Sequence, residues 1–173
     1  VASLKPPKGQ ADLIRALAGV VGHPLLLFIG KLAARPGYRK ELYTLVRRTR
    51  QEERIRILGP LPRRQIAKYY NAADISILPS HSEGCPNVVL ESLACGTPVV
   101  ATNVGALPDT IEPNVTGLLV SPGEPVEMAR AISHALKKTW CCEKIYRSFP
   151  VRSWASVAED VGDLLHGVIR KNL

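Results

Sequence analysis

The feature of this sequence that most restricts its fold is a set of short segments that are apolar at every position. The first is Leu-Leu-Leu-Phe-Ile at residues 25–29, and similar runs recur between amphipathic stretches along the chain. A strand that alternates apolar and polar residues leaves one face of its sheet in water, whereas a continuous apolar run requires cover on both faces. Short strands of this kind, alternating with helices, predict an α/β fold with a doubly wound parallel sheet.

The apolar pattern assigns the individual elements. The predicted strands are 25–29, 55–58, 75–78, 98–101 and 118–120, and the predicted helices are 10–21, 38–50, 63–72, 87–94, 126–136 and 154–168. The chain also begins at Val1 inside a further predicted strand, which indicates a piece of a longer protein. Since neither a repeat nor a linker interrupts the pattern, we expect residues 1–173 to form a single domain. The longest apolar run is far shorter than the ~18 residues of a membrane span.

Positive charge is concentrated in one part of the chain. Between Arg35 and Lys68 there are eleven basic and three acidic residues, a net charge of +8, which equals the charge of the whole chain. Such a segment attracts anionic lipid or nucleic acid, but a solvated helix face opposite an apolar stripe also explains it. Only Tyr38 and Tyr43 interleave the basic run, so platforms for base stacking are poor. We therefore expect no nucleic-acid partner and keep an anionic membrane surface as a hypothesis.

The cysteines and histidines give no sign of a metal or of a disulfide framework. Four cysteines, at positions 85, 95, 141 and 142, include no Cys-x-x-Cys pair, and no histidine lies at ligand spacing from them. Adjacent cysteines such as Cys141 and Cys142 are poor disulfide partners. Reduced thiols in a cytoplasmic protein, with no bound metal, are the simplest interpretation.

The loop after the predicted strand 75–78 carries the most chemistry. In a doubly wound sheet, ligands bind at the carboxyl ends of the strands. Pro86 suits the first position of the helix 87–94, which would leave free N–H groups directed at an anion such as phosphate. Gly84 permits close approach of a ligand. Glu83 precedes this anion site and Glu91 lies one helical turn inside it, so each could accept hydrogen bonds from neutral hydroxyls, such as those of a ribose and a second sugar. Lys8, at the end of another strand-end loop, could reach a phosphate.

This spacing outlines a nucleotide sugar but leaves other interpretations open. Glu91 could equally be an acidic residue favoured near a helix N-terminus, and lysines before helices are common on surfaces. A nicotinamide cofactor is disfavoured because no Gly-x-Gly-x-x-Gly follows the first strand.

The central tract resembles a known family. Residues 71–119, with Glu83 and Glu91 separated by seven residues, are similar to the signature block of retaining GT-B glycosyltransferases, specifically glycosyltransferase family 4. The opening and closing segments resemble the start and the last helix of that family's C-terminal, donor-binding domain. The resemblance implies a Rossmann-like half of a GT-B fold. It also implies that the acceptor-binding N-terminal domain of the same protein is the partner of this chain.

The resemblance also implies roles for individual residues. Lys8 would bind the diphosphate as it leaves, Glu83 would lie beside the donor sugar, and Glu91 would hold the ribose. The remaining residues implied at the donor site are Ser3, Gly30, Leu61, Gly84, Cys85, Asn87 and Val88. Such enzymes move a sugar from a nucleotide-sugar to a glycan or lipid-linked acceptor, without a cofactor or metal. They would work in the cytoplasm or at the cytoplasmic face of the membrane.

The sequence departs from the family's pattern at the first loop. Ala2-Ser3 stands where the family frequently has Gly-Arg, so one phosphate-binding arginine is absent, and Lys5 is a partial substitute. The following loop has Gly105-Ala106 in place of Gly-Gly. A binding or scaffold domain without donor chemistry is therefore the alternative to an enzyme.

Overall fold

The strands lie where the apolar runs predict them. The computed structural model describes residues 1–31, 37–148 and 153–171. The strands are β1 (Leu26–Ile29), β2 (Ile55–Leu58), β3 (Ser76–Leu78), β4 (Val99–Thr102) and β5 (Gly117–Val120). The helices are α1 (Gln10–Leu17), α2 (Tyr38–Arg48), α3 (Arg63–Ala72), α4 (Asn87–Ala94), α5 (Leu107–Thr110), α6 (Pro125–Lys137), α7 (Cys142–Ser148) and α8 (Trp154–Lys171).

All the strand pairs are parallel. β1 pairs with β2, with Leu26 opposite Ile55, and the second sheet has the order β3-β4-β5, with Ser76 opposite Val99 and Val99 opposite Gly117. Helices connect successive strands, so the predicted α/β architecture with parallel strands is confirmed.

The strand predicted at the start of the chain is only partly formed. Ala2 donates its N–H to the carbonyl of Ile29 at 2.9 Å, and Leu4 donates to the carbonyl of Lys31 at 2.9 Å, so residues 1–4 run beside the end of β1. Val1 and Ala2 also line a largely apolar cavity of about 330 Å³ between β1 and β3. Among the described residues, this segment forms only an isolated bridge at Leu4, so it is not a regular strand.

Two helices end earlier than their apolar stripes predict. α1 ends at Leu17, although Val20 remains buried beyond it, because the chain turns through Gly19 and Gly22. α2 ends at Arg48, and Arg50 takes a left-handed conformation with φ of 54°. A stripe records which side chains face the core, and a turn can present the same side chains without helical backbone. The short helices α5 and α7 were not predicted from the pattern.

The core explains why the strands are apolar throughout. All four residues of β4 are buried, with Val100 in the cluster that includes α1 and α6, and Val99 and Ala101 in the cluster that includes α4 and α7. Successive side chains of a strand point to opposite faces. Both faces of β4 are therefore covered, as a doubly wound sheet requires.

The terminal helix α8 presents apolar side chains to solvent. These exposed side chains are Val161, Leu164, Leu165, Val168 and Ile169. Within the described ranges, none of the helices combines the length and the hydropathy needed to cross a bilayer.

Candidate functional site

The predicted lysine and the first predicted glutamate meet directly at the carboxyl edge of the strands. Lys8 is the last residue of a 3-10 turn, Pro6–Lys8, and Glu83 lies in the loop between β3 and α4. The Nζ of Lys8 donates a hydrogen bond to Oε1 of Glu83 at 2.6 Å, although the two residues are 75 positions apart. The side chains are 21% and 7% exposed, so the carboxylate is nearly enclosed while the ammonium still reaches solvent. The sequence predicted both residues as site candidates, but not their contact.

Backbone contacts hold these two loops together. The N–H of His81 donates to the carbonyl of Pro7 at 2.9 Å. Gly9 has a φ of +66° and lies so close to Pro79 that an added Cβ would overlap the carbonyl oxygen of Pro79. Only glycine combines this conformation with such an approach at no steric cost. The position of Lys8 relative to Glu83 is therefore set by main chain on both sides.

A histidine and an aspartate form a second link between the loops. Nε2 of His81 lies 2.7 Å from Oδ2 of Asp12, which is in the first turn of α1. Oδ1 of Asp12 accepts a further hydrogen bond from Arg15 at 2.8 Å. Sequence reasoning did not identify this pair, because 69 residues separate its members and neither residue stands in a distinctive motif.

Two buried hydroxyl groups help to hold Glu83, one directly and one through its neighbour, and neither was predicted from the sequence. Oγ of Ser80 donates to the same Oε1 of Glu83 at 2.6 Å, and Oγ1 of Thr102 donates to the carbonyl of Ser80 at 2.5 Å. Ser80 and Thr102 are 0% and 1% exposed. A serine three residues before a glutamate is the signal that could have identified Ser80. Thr102 could not be found in this way, because it lies on another strand.

The N-terminus of α4 is open, as the phosphate-site prediction requires. α4 begins at Asn87, and Pro86 is the residue before it rather than its first residue; no side chain caps the helix. The first N–H groups of a helix have no partner inside the helix, so those of Asn87 and Val88 are available to an anion. Asn87 is exposed and Val88 is half-buried.

The loop that leads into α4 is fixed by its neighbour. The carbonyl of Gly84 accepts a hydrogen bond from the N–H of Ala106 at 2.9 Å, and a Cβ on Gly105 would overlap the carbonyl oxygen of Glu83. Cys85 is exposed in this loop. The predicted residues Gly84 and Cys85 therefore lie in one loop with Glu83, directly before the α4 N-terminus.

Glu91 has different neighbours from Lys8 and Glu83. Its side chain has no hydrogen-bond partner among the residues that the structure describes, and it is half-buried. Burial and then the charge of Glu91 raise the pKa of the Tyr70 hydroxyl and of the Cys95 thiol. Burial lowers the pKa of the Val1 amino group, which the attraction of Glu91 partly offsets. Glu91 thus lies on a flank of α4 that is close enough to Val1, Tyr70 and Cys95 to affect their pKa values.

The three remaining predicted residues lie near the ends of β1 and β2. Gly30 follows β1 directly, Leu61 is half-buried between β2 and α3, and Ser3 is exposed beside the end of β1. The carbonyl of Ser3 accepts a hydrogen bond from the Gln10 side chain at 3.1 Å. All three positions are at the carboxyl edge of the strands, where Lys8 also lies. Within the described part of the chain, the side-chain hydrogen-bond partners of Glu83 are Lys8 and Ser80, and none of these three residues is among them.

The basic segment and the cysteines have simple structural outcomes. On α2, Leu42 and Val46 are buried while Arg39, Lys40 and Arg47 are exposed, as the stripe predicts; Arg35 lies outside the described residues. All four cysteines are unpaired. Over the described ranges, no three His, Cys, Asp or Glu side chains cluster in a way that could hold a metal ion.

Comparisons with known proteins identify relatives of this chain. The model of a family described as glycosyl transferases group 1 matches residues 1–148. A D-inositol 3-phosphate glycosyltransferase from Xylanimonas cellulosilytica is 35% identical over 129 residues, which are 75% of this chain and 31% of that protein.

Two solved structures have a similar fold. Alr3699/HepE from Anabaena, in complex with UDP, is 27% identical with a TM-score of 0.88, over 96% of this chain and 47% of that one. The C-terminal domain of LpcC, a glycosyl transferase group 1 family protein from Francisella tularensis, is 26% identical with a TM-score of 0.71, over 83% of this chain and 75% of that domain. This chain spans less than half the length of the Xylanimonas relative and of Alr3699/HepE. The chain belongs to the glycosyl transferases group 1 family, and its fold is that of the C-terminal half of a GT-B glycosyltransferase.

Proposed function

We propose that this chain is the donor-binding domain of a retaining glycosyltransferase of family 4. It binds a nucleotide-sugar whose sugar is moved to a glycan or lipid-linked acceptor. The observation that carries the proposal is the ion pair between Lys8 and Glu83, whose Nζ and Oε1 are 2.6 Å apart. It lies in the loops beside the N-terminus of α4, which no side chain caps. A lysine and free N–H groups favour a diphosphate, and a carboxylate beside them favours the hydroxyls of a neutral sugar. The UDP complex of the similar Alr3699/HepE supports the same class of ligand.

Each part of the site has a role in this proposal. The diphosphate lies between Lys8 and the N–H groups of Asn87 and Val88. Glu91, whose carboxylate has no hydrogen-bond partner in the described structure, accepts hydrogen bonds from the two ribose hydroxyls. Gly30 and Leu61 contact the nucleoside from the ends of β1 and β2, and Ser3 lies near the phosphates.

Glu83 and Lys8 act on the bond that breaks. Transfer cleaves the bond between the anomeric carbon and the diphosphate oxygen, so positive charge develops on the sugar and negative charge on the leaving diphosphate. Glu83 contacts the sugar hydroxyls and stabilises the positive charge, while Lys8 stabilises the negative charge. In this proposal Glu83 lies on the sugar side of the bond and Lys8 on the diphosphate side, and no cofactor or metal is needed.

The acceptor side lies elsewhere in the protein. We propose that an N-terminal domain of the same protein binds the acceptor, because this chain spans 31% of its Xylanimonas relative and 47% of Alr3699/HepE. The exposed basic face of α2 supports a location at the cytoplasmic face of an anionic membrane, where a lipid-linked acceptor would be found.

The proposal predicts that Glu91→Ala weakens nucleotide binding. Losing hydrogen bonds to a charged partner costs roughly 1.5–3 kcal/mol, or about 10- to 150-fold in Kd. Calorimetric titration of the folded chain with UDP, UDP-glucose, GDP-mannose and ADP-glucose measures this change. Glu52→Ala, which removes an exposed carboxylate from a loop, is the matched control and leaves the Kd unchanged.

Two results would contradict this assignment at different levels. A folded wild-type chain that binds none of these nucleotides excludes donor binding. A longer polypeptide that binds a nucleotide-sugar, but transfers no sugar to any acceptor, favours a non-catalytic binding domain. The absence of the Gly-Arg pair at Ala2-Ser3 is the feature that motivates this second candidate.

A further inference from the structure

Two donors share one oxygen of Glu83 and leave the other oxygen free. Lys8 Nζ and Ser80 Oγ each lie 2.6 Å from Oε1. Within the described part of the chain, Oε2 has no hydrogen-bond partner. The carboxylate is therefore fixed through one oxygen, while the second remains able to accept from another group.

The two donors differ in how firmly the protein holds them. Lys8 extends from a strand-end loop and its side chain is 21% exposed, so its ammonium is free to move toward a phosphate. Ser80 is fully buried. Its carbonyl accepts a hydrogen bond from Thr102 at the end of β4, so its backbone is tied to the sheet. A buried donor whose carbonyl is bonded to a strand residue holds its geometry better than a partly exposed lysine.

This difference matters when a diphosphate binds. In the proposed site, Lys8 turns from Glu83 toward the phosphate oxygens, and Glu83 loses one of its two donors at the moment when an anion approaches. A carboxylate beside a diphosphate is repelled unless a fixed donor holds it. We propose that Ser80 is a positioning residue, which keeps the Glu83 carboxylate directed at the donor sugar after Lys8 has transferred its hydrogen bond to the diphosphate. This inference rests on the function proposed above.

The proposal predicts different effects on the binding of the sugar and on the binding of the nucleotide. Because Ser80 contacts Glu83 and has no place at the diphosphate, its hydroxyl supports only the affinity that the sugar adds to UDP. Replacing Ser80 with alanine removes the donor and leaves Glu83 paired with Lys8 in the unliganded protein. We expect UDP to bind Ser80→Ala within twofold of wild type, while UDP-glucose binds roughly three- to tenfold more weakly.

The matched control is Ser92→Ala. Ser92 is equally buried, and its hydroxyl donates at 3.0 Å to the carbonyl of Thr97, which lies beyond the C-terminal end of α4. This variant loses the same atom from an equally enclosed place, so it reports the general effect of such a change. We expect it to bind UDP and UDP-glucose as wild type does. Calorimetric titration with the two ligands, on all three chains, measures the ratio of the two Kd values.

A ligand-free measurement tests the Ser80–Glu83 bond itself. In urea unfolding, Ser80→Ala should lower the midpoint less in a Glu83→Ala background than in wild type, because the partner has already gone. Equal shifts in both backgrounds overturn the inference. So does a Ser80→Ala variant that loses UDP and UDP-glucose affinity by the same factor, or that loses neither. Failure of the folded wild-type chain to bind either ligand contradicts the proposed function itself and removes the basis of this role.

Discussion

The site joins residues that the sequence reveals to different degrees. Glu83 and Glu91 stand in a dense motif, and Lys8 stands at a strand end, so the pattern identified all three as candidates. Ser80 was missed, because a serine after Pro79 has an ordinary explanation as the end of a strand. The 2.6 Å contact between Lys8 and Glu83 joins loops 75 residues apart, and such a pairing depends on the packing of the two loops. The composition of either loop alone does not determine it.

Glu91 affects its neighbours in a way that chemistry can measure. Burial, and then the Glu91 charge, raise the pKa of the Cys95 thiol above its ordinary value of 9.0. We therefore predict that Glu91→Gln, which removes only the second cause, lowers the pKa of Cys95. Since the thiolate is the reactive form, Cys95 should be alkylated several-fold faster at pH 8.5 in this variant. Mass spectrometry after timed treatment with iodoacetamide measures the rate for each cysteine.

The exposed cysteines and the unfolding curve provide the controls. Cys85, Cys141 and Cys142 should react at the same rate in both chains. In wild type, the folded state keeps the Cys95 proton at a pH where the unfolded chain has lost it. The unfolded state then binds fewer protons, so the free energy of unfolding falls as the pH rises above about 9. An unchanged alkylation rate of Cys95 in Glu91→Gln would show that the glutamate charge does not reach this thiol.

At the scale of elements, the bounds of a helix or strand could be predicted where burial alone determines them. β4 was predicted within one residue because all of its side chains are buried, which gives a clear apolar run. The end of α1 was not predicted correctly, because Val20 stays buried after the helix has ended. The segment predicted as a strand at Val1 lies beside β1 without becoming a regular strand, because burial by itself does not set how many backbone pairs form. Close approaches between loops leave no trace in hydropathy, although glycines such as Gly9 and Gly105 stand where they occur.

Gly9 allows a direct test of this close approach. We predict that Gly9→Ala destabilises the protein for two reasons: its φ of +66° is unfavourable for alanine, and the new Cβ overlaps the carbonyl of Pro79. Strain in the left-handed region costs about 1 kcal/mol, so the overlap should bring the loss in the free energy of unfolding above about 2 kcal/mol. Urea unfolding followed by circular dichroism measures the loss.

Gly22→Ala separates the two causes. Gly22 has a φ of +85°, but a Cβ there would have open space around it. This variant should therefore lose only about 1 kcal/mol. Equal losses in Gly9→Ala and Gly22→Ala would mean that the loop at Pro79 yields easily, and that main-chain contact does not fix Lys8 against Glu83.

At the scale of the whole molecule, two edges have different chemistry. The candidate donor site gathers at the carboxyl ends of the strands. α2 precedes β2, so its last turn, with Arg47 and Arg48, lies toward the amino end of β2 at the opposite edge. Because Arg47 and Arg48 lie at this opposite edge, a negatively charged surface can bind there without covering the donor site.

This separation predicts how the chain binds membranes. Each Lys or Arg near an anionic surface contributes about 1 kcal/mol, so reversing both charges in Arg47→Glu/Arg48→Glu should weaken binding to phosphatidylserine-containing vesicles at least tenfold. The control is Arg63→Glu/Arg64→Glu, which changes the net charge equally at the start of α3, on the donor-site edge. If orientation matters, the control binds vesicles more tightly than the α2 variant. Co-sedimentation with vesicles, at low and at 0.15 M salt, measures both.

Comparing the two variants shows whether vesicle binding depends on the basic face of α2 or on the net charge of the chain. Screening at about 8 Å in 0.15 M salt makes distant charges ineffective, so only residues near the lipid should matter there. Equal weakening of both variants would mean that net charge alone attracts the chain to the vesicles. If the α2 variant binds vesicles as tightly as wild type does, the basic face of α2 is a solvated helix face and does not bind the membrane. In either case the donor site keeps its proposed role, because nucleotide binding depends on groups at the other edge of the strands.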